Sequence, residues 1–209
     1  MGNKLIFDFG AHYGEFSEQF SDSDTTIIMV DANPKAIEIL EEKYKDRENV
    51  IIHHALLSTE NDEILDFYIC EQYDLVCTAS EYWKSNVFGW CGYYLTLELK
   101  TKNLDYFVNK YGKPDFIKLD LEGYENEVIK GLSMKVGEMT FELLTTPIMC
   151  EKAKDSANHL RSLGYTEFGI STDSYQDKPD SYYDYEGFIQ WLNDRILSNS
   201  PSTNMIWTK

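Results

Sequence analysis

Carboxylates set where short apolar runs stop are the residues of this sequence with the most evident chemical use. Asp8 interrupts "FDFGAHYGEF" (7–16), Asp31 closes "TIIMVD" (26–31) and Asp120 closes "DFIKLD" (115–120). If those runs are neighbouring parallel strands, the three acids share one rim of a sheet. Ligands of open α/β sheets bind at that rim, beside the point where strand order reverses. In the turn after the first run, Gly10 and Gly14 are spaced G-x-x-x-G. Gly10 allows a tight turn with backbone close to a ligand, and Gly14 allows close helix packing. Asp31 follows Gly10 by about the separation at which a strand-end acid meets ribose hydroxyls.

The central glycine of a dinucleotide fingerprint is missing from this turn. Ala11, His12 and Tyr13 stand in that neighbourhood, so backbone amides are kept from a pyrophosphate. The Asp8 carboxylate would also repel phosphate, while it can accept hydrogen bonds from an ammonium group. A ligand with a ribose, a cation and no phosphate fits, and S-adenosylmethionine is such a ligand. Two other functions compete on the same sheet: an NAD-dependent oxidoreductase or epimerase, which the glycine-poor acidic turn counts against, and a non-catalytic cofactor-binding module.

The elements that must position these acids follow from the patterning. "KLIFDF" (4–9) and "TIIMVD" are continuous apolar runs bounded by turn formers, the pattern of strands buried on both faces. "GEFSEQF" between them predicts a short helix. Asn33 is a good N-cap, Pro34 a good first helical residue, and Ile37, Leu40 and Tyr44 recur at helical spacing, so "NPKAIEILEEKY" predicts an amphipathic helix. "NVIIHH" (49–54) completes a βαβαβ half. "EILDFYI" and "YYLTLEL" then read as two β-like segments around an aromatic loop, an insertion or a hairpin. Alternation resumes with helix "LDYFVNKYG", strand "DFIKLD", helix "YENEVIKGL", strand "MTFELL" and helix "EKAKDSANHLRSLG", followed by a strand near "YTEFGI", a helix near "GFIQWLNDRIL" and a strand "NMIWT". Residues 1–209 read as a single domain with loop insertions near 71–94 and 172–200.

Composition limits the partners. The chain has 209 residues, 43% of them hydrophobic, enough for a sizeable core. Its 36 acidic against 19 basic residues give a formal charge of -17, which repels nucleic-acid phosphates and anionic membranes, so neither is an expected partner. Cys70, Cys77, Cys91 and Cys150 form no C-x-x-C pair and no signal-peptide pattern precedes them, which predicts reduced thiols, no structural zinc and a cytoplasmic location. No apolar run approaches a membrane span, and Ile6 stands where a myristoylation signal has Ser or Thr.

"FDFGAHYGEFS", "VDANPKAIEIL" and above all "DFIKLDLEGYENEVIKG" resemble the FkbM family of S-adenosylmethionine-dependent methyltransferases, which share a strand-end "KxDxEGxExxVxxG" block. The resemblance runs from residue 5 to about 144. It implies the α/β class I methyltransferase fold, a Rossmann-like three-layer sandwich around a mostly parallel seven-stranded sheet with an antiparallel last strand. It also implies O-methylation of a sugar or other small molecule, with a small-molecule or glycan acceptor. Carried onto this sequence, Asp8, Gly10, Ala11, His12 and Gly14 would hold the methionine end of the cofactor and Asp31 its ribose, with Asp120 beside them. Ala32, Asn33, His54, Ala55 and Leu56 fall where adenosine contacts are expected. Asp120 and Glu122 are the candidate catalytic bases, with Lys118 and Glu125 in the same block. Helices that often precede the first strand are missing from the match, so cover for the substrate is expected from "EYWKSNVFGWCGYY" (81–94) and "SYYDYEGFIQW" (181–191), with Trp83, Trp90, Tyr183 and Glu142 as candidate substrate residues. Asp120, Glu122 and Glu142 could serve as oxygen ligands of a divalent metal, but no spacing rule supports this and no metal is expected.

Overall fold

Each apolar run does form a strand. The computed structural model describes residues 4–20, 24–70, 72–91, 95–172 and 178–209. The first half contains β1 (Lys4–Phe9), β2 (Thr25–Asp31), α1 (Pro34–Tyr44) and β3 (Val50–His54). Then come β4 (Leu56–Leu57), β5 (Ile64–Ile69) and β6 (Leu95–Lys102). The second half runs α2 (Leu104–Tyr111), β7 (Phe116–Leu119), α3 (Glu125–Ile129), β8 (Glu138–Leu144), α4 (Pro147–Ser162), β9 (Glu167–Ser171), β10 (Tyr182–Asp184), α5 (Tyr185–Ser198) and β11 (Thr203–Thr208).

The main sheet has the order β10-β9-β11-β8-β7-β1-β2-β3. β1 pairs in parallel with both β2 and β7, so strand order reverses at β1 and leaves a crevice beyond its carboxyl end. β11 lies antiparallel between β8 and β9. Those seven strands are the expected sheet, and β10 adds an eighth, short and antiparallel, on the β9 edge. The aromatic insertion is a hairpin at its base: β5 and β6 pair antiparallel, and β4 joins β6 to make a separate three-stranded sheet.

Alternation along β2 explains why both faces are apolar. Ile28 and Val30 pack with Phe7, Phe9 and Phe107 on one face, while Ile27 and Met29 meet Leu40 and Tyr44 of α1 on the other. The Phe9 and Phe107 rings lie 5.2 Å apart and Phe7 and Phe9 5.3 Å apart, a fully buried aromatic group beneath the crevice. Helix starts follow local chemistry. The Asn33 side chain accepts from the Lys35 amide at 3.0 Å, the Asn103 side chain accepts from the Tyr106 amide at 2.9 Å, and Thr146 caps α4 just before Pro147.

One expectation needs correction. "GEFSEQF" forms only one 3-10 turn, Ser17–Gln19. Gly14 enters it at φ +81°, a left-handed conformation no helix contains, and the remaining residues are too few to recover the cost of helix nucleation. Within the stretch 172–200 the expected helix near "GFIQWLNDRIL" forms. α5 fills it from Tyr185 and buries Phe188 and Leu192, with the Asp184 carboxylate accepting from the Gly187 amide at 2.8 Å. Residues 71, 92–94 and 173–177 of the two proposed insertions lie outside the described residues.

Phe107→Ala is expected to lower unfolding free energy by about 3–5 kcal/mol, the usual cost of emptying a buried aromatic site, read as a lower midpoint in urea with an unchanged slope.

Candidate active site

The crevice is assembled around one buried ammonium. Asp8 and Lys118 are register partners on adjacent strands, so their side chains stand side by side on one face of the sheet. Lys118 Nζ lies 3.2 Å from Asp8 Oδ1 and 3.5 Å from Asp120 Oδ2, and it donates to the Gly10 carbonyl at 2.7 Å. Ser17 Oγ donates to the other Asp8 oxygen at 2.6 Å. Burial alone would lower the Lys118 pKa, but the charges of Asp8 and Asp120 outweigh it and hold the ammonium above its usual value. Gly10, at φ +71°, is the residue this approach requires. A Cβ there would sit 1.7 Å from the Asp120 carbonyl oxygen, so the turn after β1 fits the end of β7 only without a side chain.

At the end of β2, the Asp31 carboxylate accepts from the His12 amide and the Asn33 amide, both at 2.8 Å. Each oxygen takes one backbone donor and keeps a lone pair. Burial raises the Asp31 pKa, and the two amides oppose the rise. His12, at φ +46°, brings its ring to the crevice, where Nε2 is buried without a hydrogen-bond partner. The crevice encloses about 680 Å³, including the part open to solvent, between Asp31, Ala32 and Asn33 on one side and Asp120, Leu121 and Glu122 on the other. Ala55, Leu56, Phe67, Cys77 and Ala79 supply apolar wall. The free lone pairs of Asp31, the orphaned imidazole nitrogen and the apolar wall fit an adenosyl group with no phosphate.

At the far end the acids crowd. Glu122 has φ +51° and Gly123 φ +87°, two consecutive left-handed residues. For a glutamate this is strained backbone, and the surroundings fix it. Thr78 Oγ1 donates to the Glu122 carbonyl at 2.8 Å, and the Glu125 carboxylate accepts from the Leu121 and Gly123 amides at 2.6 and 3.3 Å. The Trp83 ring packs on Gly123, where a Cβ would lie 2.0 Å from Cε3. Glu142 follows Phe141, the partner of Leu119, and so stands level with Asp120. Burial pushes Glu122 and Glu142 well above the usual carboxylate range, and neighbouring carboxylates push both further, Asp120 beside Glu122 and Glu122 beside Glu142.

The structure gathers Gly10, His12, Asp31, Ala32, Asn33, Ala55, Leu56, Asp120 and Glu122 around the crevice. Other expected contacts do not line it. Asp8 is completely buried, paired with Lys118 and accepting from Ser17, and positions the rim from below the crevice. Ala11 is buried against Leu40 and Tyr44, and Gly14 lies under the Tyr44 ring. His54 bonds through Nε2 to the Ala32 carbonyl at 3.0 Å, on the outer side of its strand. Trp83 is buried beneath the Glu122 turn. Trp90 is exposed, edge-on to Tyr73 and Phe88. Tyr183 lies on β10, at the edge of the sheet four strands from β7, where aromatic composition said nothing about distance.

Asp74 lines the crevice too, and sequence reasoning did not single it out. Its carboxylate accepts from the Tyr13 hydroxyl, lies 2.7 Å from Lys35 Nζ and 3.8 Å from His12 Nε2, and pins the segment 72–80 across the crevice. The hydrogen bonds from Lys35 and then Tyr13 hold its pKa down at about 2, so the contact persists through neutral and mildly acid pH. Its only signal in the sequence is an acid inside "QYDLVC", a stretch with no spacing rule.

Asp8→Asn should cost about 3–5 kcal/mol, because it leaves Lys118 buried beside a neutral partner. Thermal unfolding checks this, and a change below about 1 kcal/mol would mean that the pair is not what holds the rim.

Residues 8–170 match the Methyltransferase FkbM domain. No curated protein matches the sequence. Solved structures similar to this one include precorrin-6y C5,15-methyltransferase from Geobacter metallireducens, at 11% identity and TM-score 0.48, covering 100% of this chain and 80% of that one. Fibrillarin from Aeropyrum pernix, in complex with natively bound S-adenosyl-L-methionine, is similar at 12% identity and TM-score 0.49, covering 100% and 67%. A SAM-dependent methyltransferase from Aquifex aeolicus follows at 9% and 0.44, covering 99% and 82%. With well over half of its length in the family match, the chain belongs to the FkbM methyltransferase domain family and is an S-adenosylmethionine-dependent methyltransferase.

Proposed function

We propose that the enzyme methylates a hydroxyl of a sugar or another small molecule. The observation that supports this best is the group of carboxylates at the end of β7 and β8, which opens on the same crevice as Asp31. In this reading Asp31 accepts both ribose hydroxyls, His12 meets the ligand through Nε2, and Ala32, Leu56 and Phe67 bound the adenine. When bound, the cofactor supplies a methyl carbon made electrophilic by its sulfonium. The chain's own part is to align that carbon with the acceptor oxygen, which well-ordered pairs convert into roughly 7–11 kcal/mol of barrier. Glu122 accepts the proton that the hydroxyl sheds, since Asp120 is already engaged by Lys118. The formal charge of -17 favours a neutral or cationic acceptor. Among the described residues no helix is long and apolar enough to cross a membrane.

Calorimetry with S-adenosylhomocysteine and turnover against a panel of sugars and small alcohols test the reading. Glu122→Gln is expected to keep affinity within a factor of about 3 and to lower turnover by roughly 10²–10⁴. If Glu122→Gln and Asp120→Asn both only weaken binding, the proton-acceptor role fails.

Asp31→Asn should weaken S-adenosylhomocysteine at least about tenfold, or ~1.4 kcal/mol. The pH dependence carries a sign. Asp31 has a raised pKa and accepts from the ribose only when ionised, so affinity should be full above that pKa and fall as pH drops through it. A flat affinity profile from pH 8 down to the usual carboxylate range of about 4 would remove Asp31 from the ribose contact.

A further inference from the structure

We propose that Asp120, Glu122 and Glu142 bind a hard divalent cation, of the magnesium, manganese or calcium kind, where β7 and β8 end. One carboxylate oxygen from each of the three lies within 4.8 Å of the other two. An ion with metal–oxygen distances of about 2.1–2.4 Å holds any two of its ligands no farther apart than roughly twice that, about 4.2–4.8 Å. The spacing therefore admits one ion shared by all three residues. Its donor set is oxygen only, which selects hard cations over zinc or copper.

The second observation is an orphan. Glu142, which offers a carboxylate oxygen to this group, has its Oε2 buried without a hydrogen-bond partner. A buried carboxylate oxygen without a donor or a cation is costly, by several kcal/mol on the usual scale. A proton shared between two of the acids would satisfy one oxygen and leave the third carboxylate facing the pair. One divalent ion answers all three. The strained Glu122 backbone, held by Thr78, keeps this ligand on station before any ion arrives.

Three protein ligands leave coordination positions for water or for an acceptor oxygen. An acceptor hydroxyl held there would be oriented toward the crevice and made more acidic. That use rests on the proposed transfer to oxygen; the ion site itself stands on the carboxylate geometry alone.

Titration of the cofactor-free protein with Mn²⁺ in 150 mM NaCl, followed by electron paramagnetic resonance, reads the site without any turnover. About one equivalent of Mn²⁺ should bind, displaced by excess Mg²⁺ or Ca²⁺. Glu142→Gln and Glu122→Gln should each weaken it at least about tenfold, while Asp31→Asn, at the other end of the crevice, should leave it unchanged. Removing a buried charge at Glu142 should not unfold the chain, which circular dichroism checks, and Glu122→Gln is an independent variant. Absence of stoichiometric binding, or equal affinity in wild type and both Gln variants, would overturn the proposal. If Mn²⁺ binds as expected but no hydroxyl acceptor is ever methylated, the site stands and the transfer to oxygen falls.

Discussion

The Lys118 ammonium is the interaction on which the rest of this site depends. It is buried, and it draws together two pieces of chain far apart in sequence: Asp8 in β1 with the Gly10 carbonyl in the turn that follows, and Asp120 at the end of β7. Every one of these groups would be costly to bury alone. Together they fix the separation of the two strand ends and the path of the turn between them. Gly10 then has no space for a side chain, and His12 and Asp31 meet through a backbone amide because the turn has no other course. The electrostatic group sits one residue below the ligand surface, so the surface inherits its rigidity.

From that base the chain sets unlike environments at the two ends of one crevice. Asp31 is buried but given two backbone donors, and its charge is supported. Glu142 Oε2 is buried without a donor, and the charge of its carboxyl is opposed by burial and by neighbouring acids. The difference arises from backbone geometry more than from residue type. Asp31 precedes an N-cap turn whose amides point back at it, whereas Glu142 lies in a strand whose amides are committed to its neighbours β7 and β11. One carboxylate is thereby made a stable acceptor and the other a group in need of a partner.

The strands, their parallel order and α1 were legible because each rests on local signals: apolar runs for β1 and β2, Asn33 and Pro34 for the start of α1. Asp31, Gly10 and Asp120 were legible as a shared rim because strand-end position follows from those runs. Asp8 lies off the crevice for a physical reason. A one-residue difference along a strand exchanges crevice for interior, and nothing in "FDFG" marks that Lys118 would claim the carboxylate from the adjacent strand. Trp90 and Tyr183 also lie off the crevice lining, since aromatic composition identifies a segment that packs but not the place where it packs. Asp74 was invisible, because its importance comes from Tyr13 and Lys35, dozens of residues away, and exists only once the turn and α1 are folded.

β11 has a consequence for how the molecule assembles. It follows β9, β10 and α5 along the chain yet lies between β8 and β9, hydrogen-bonded to both. Until residues 203–208 arrive, β9 and its short partner β10 have no main-chain link to the interior strands, and the exposed β8 edge offers unpaired amides to any extended segment nearby. Closure of this half of the sheet is therefore a long-range event that waits on a late insertion, whereas β1, β2 and β3 can zip together in order. The nucleotide half is positioned to organise first, and the half that frames the acidic end is locked by a wedge.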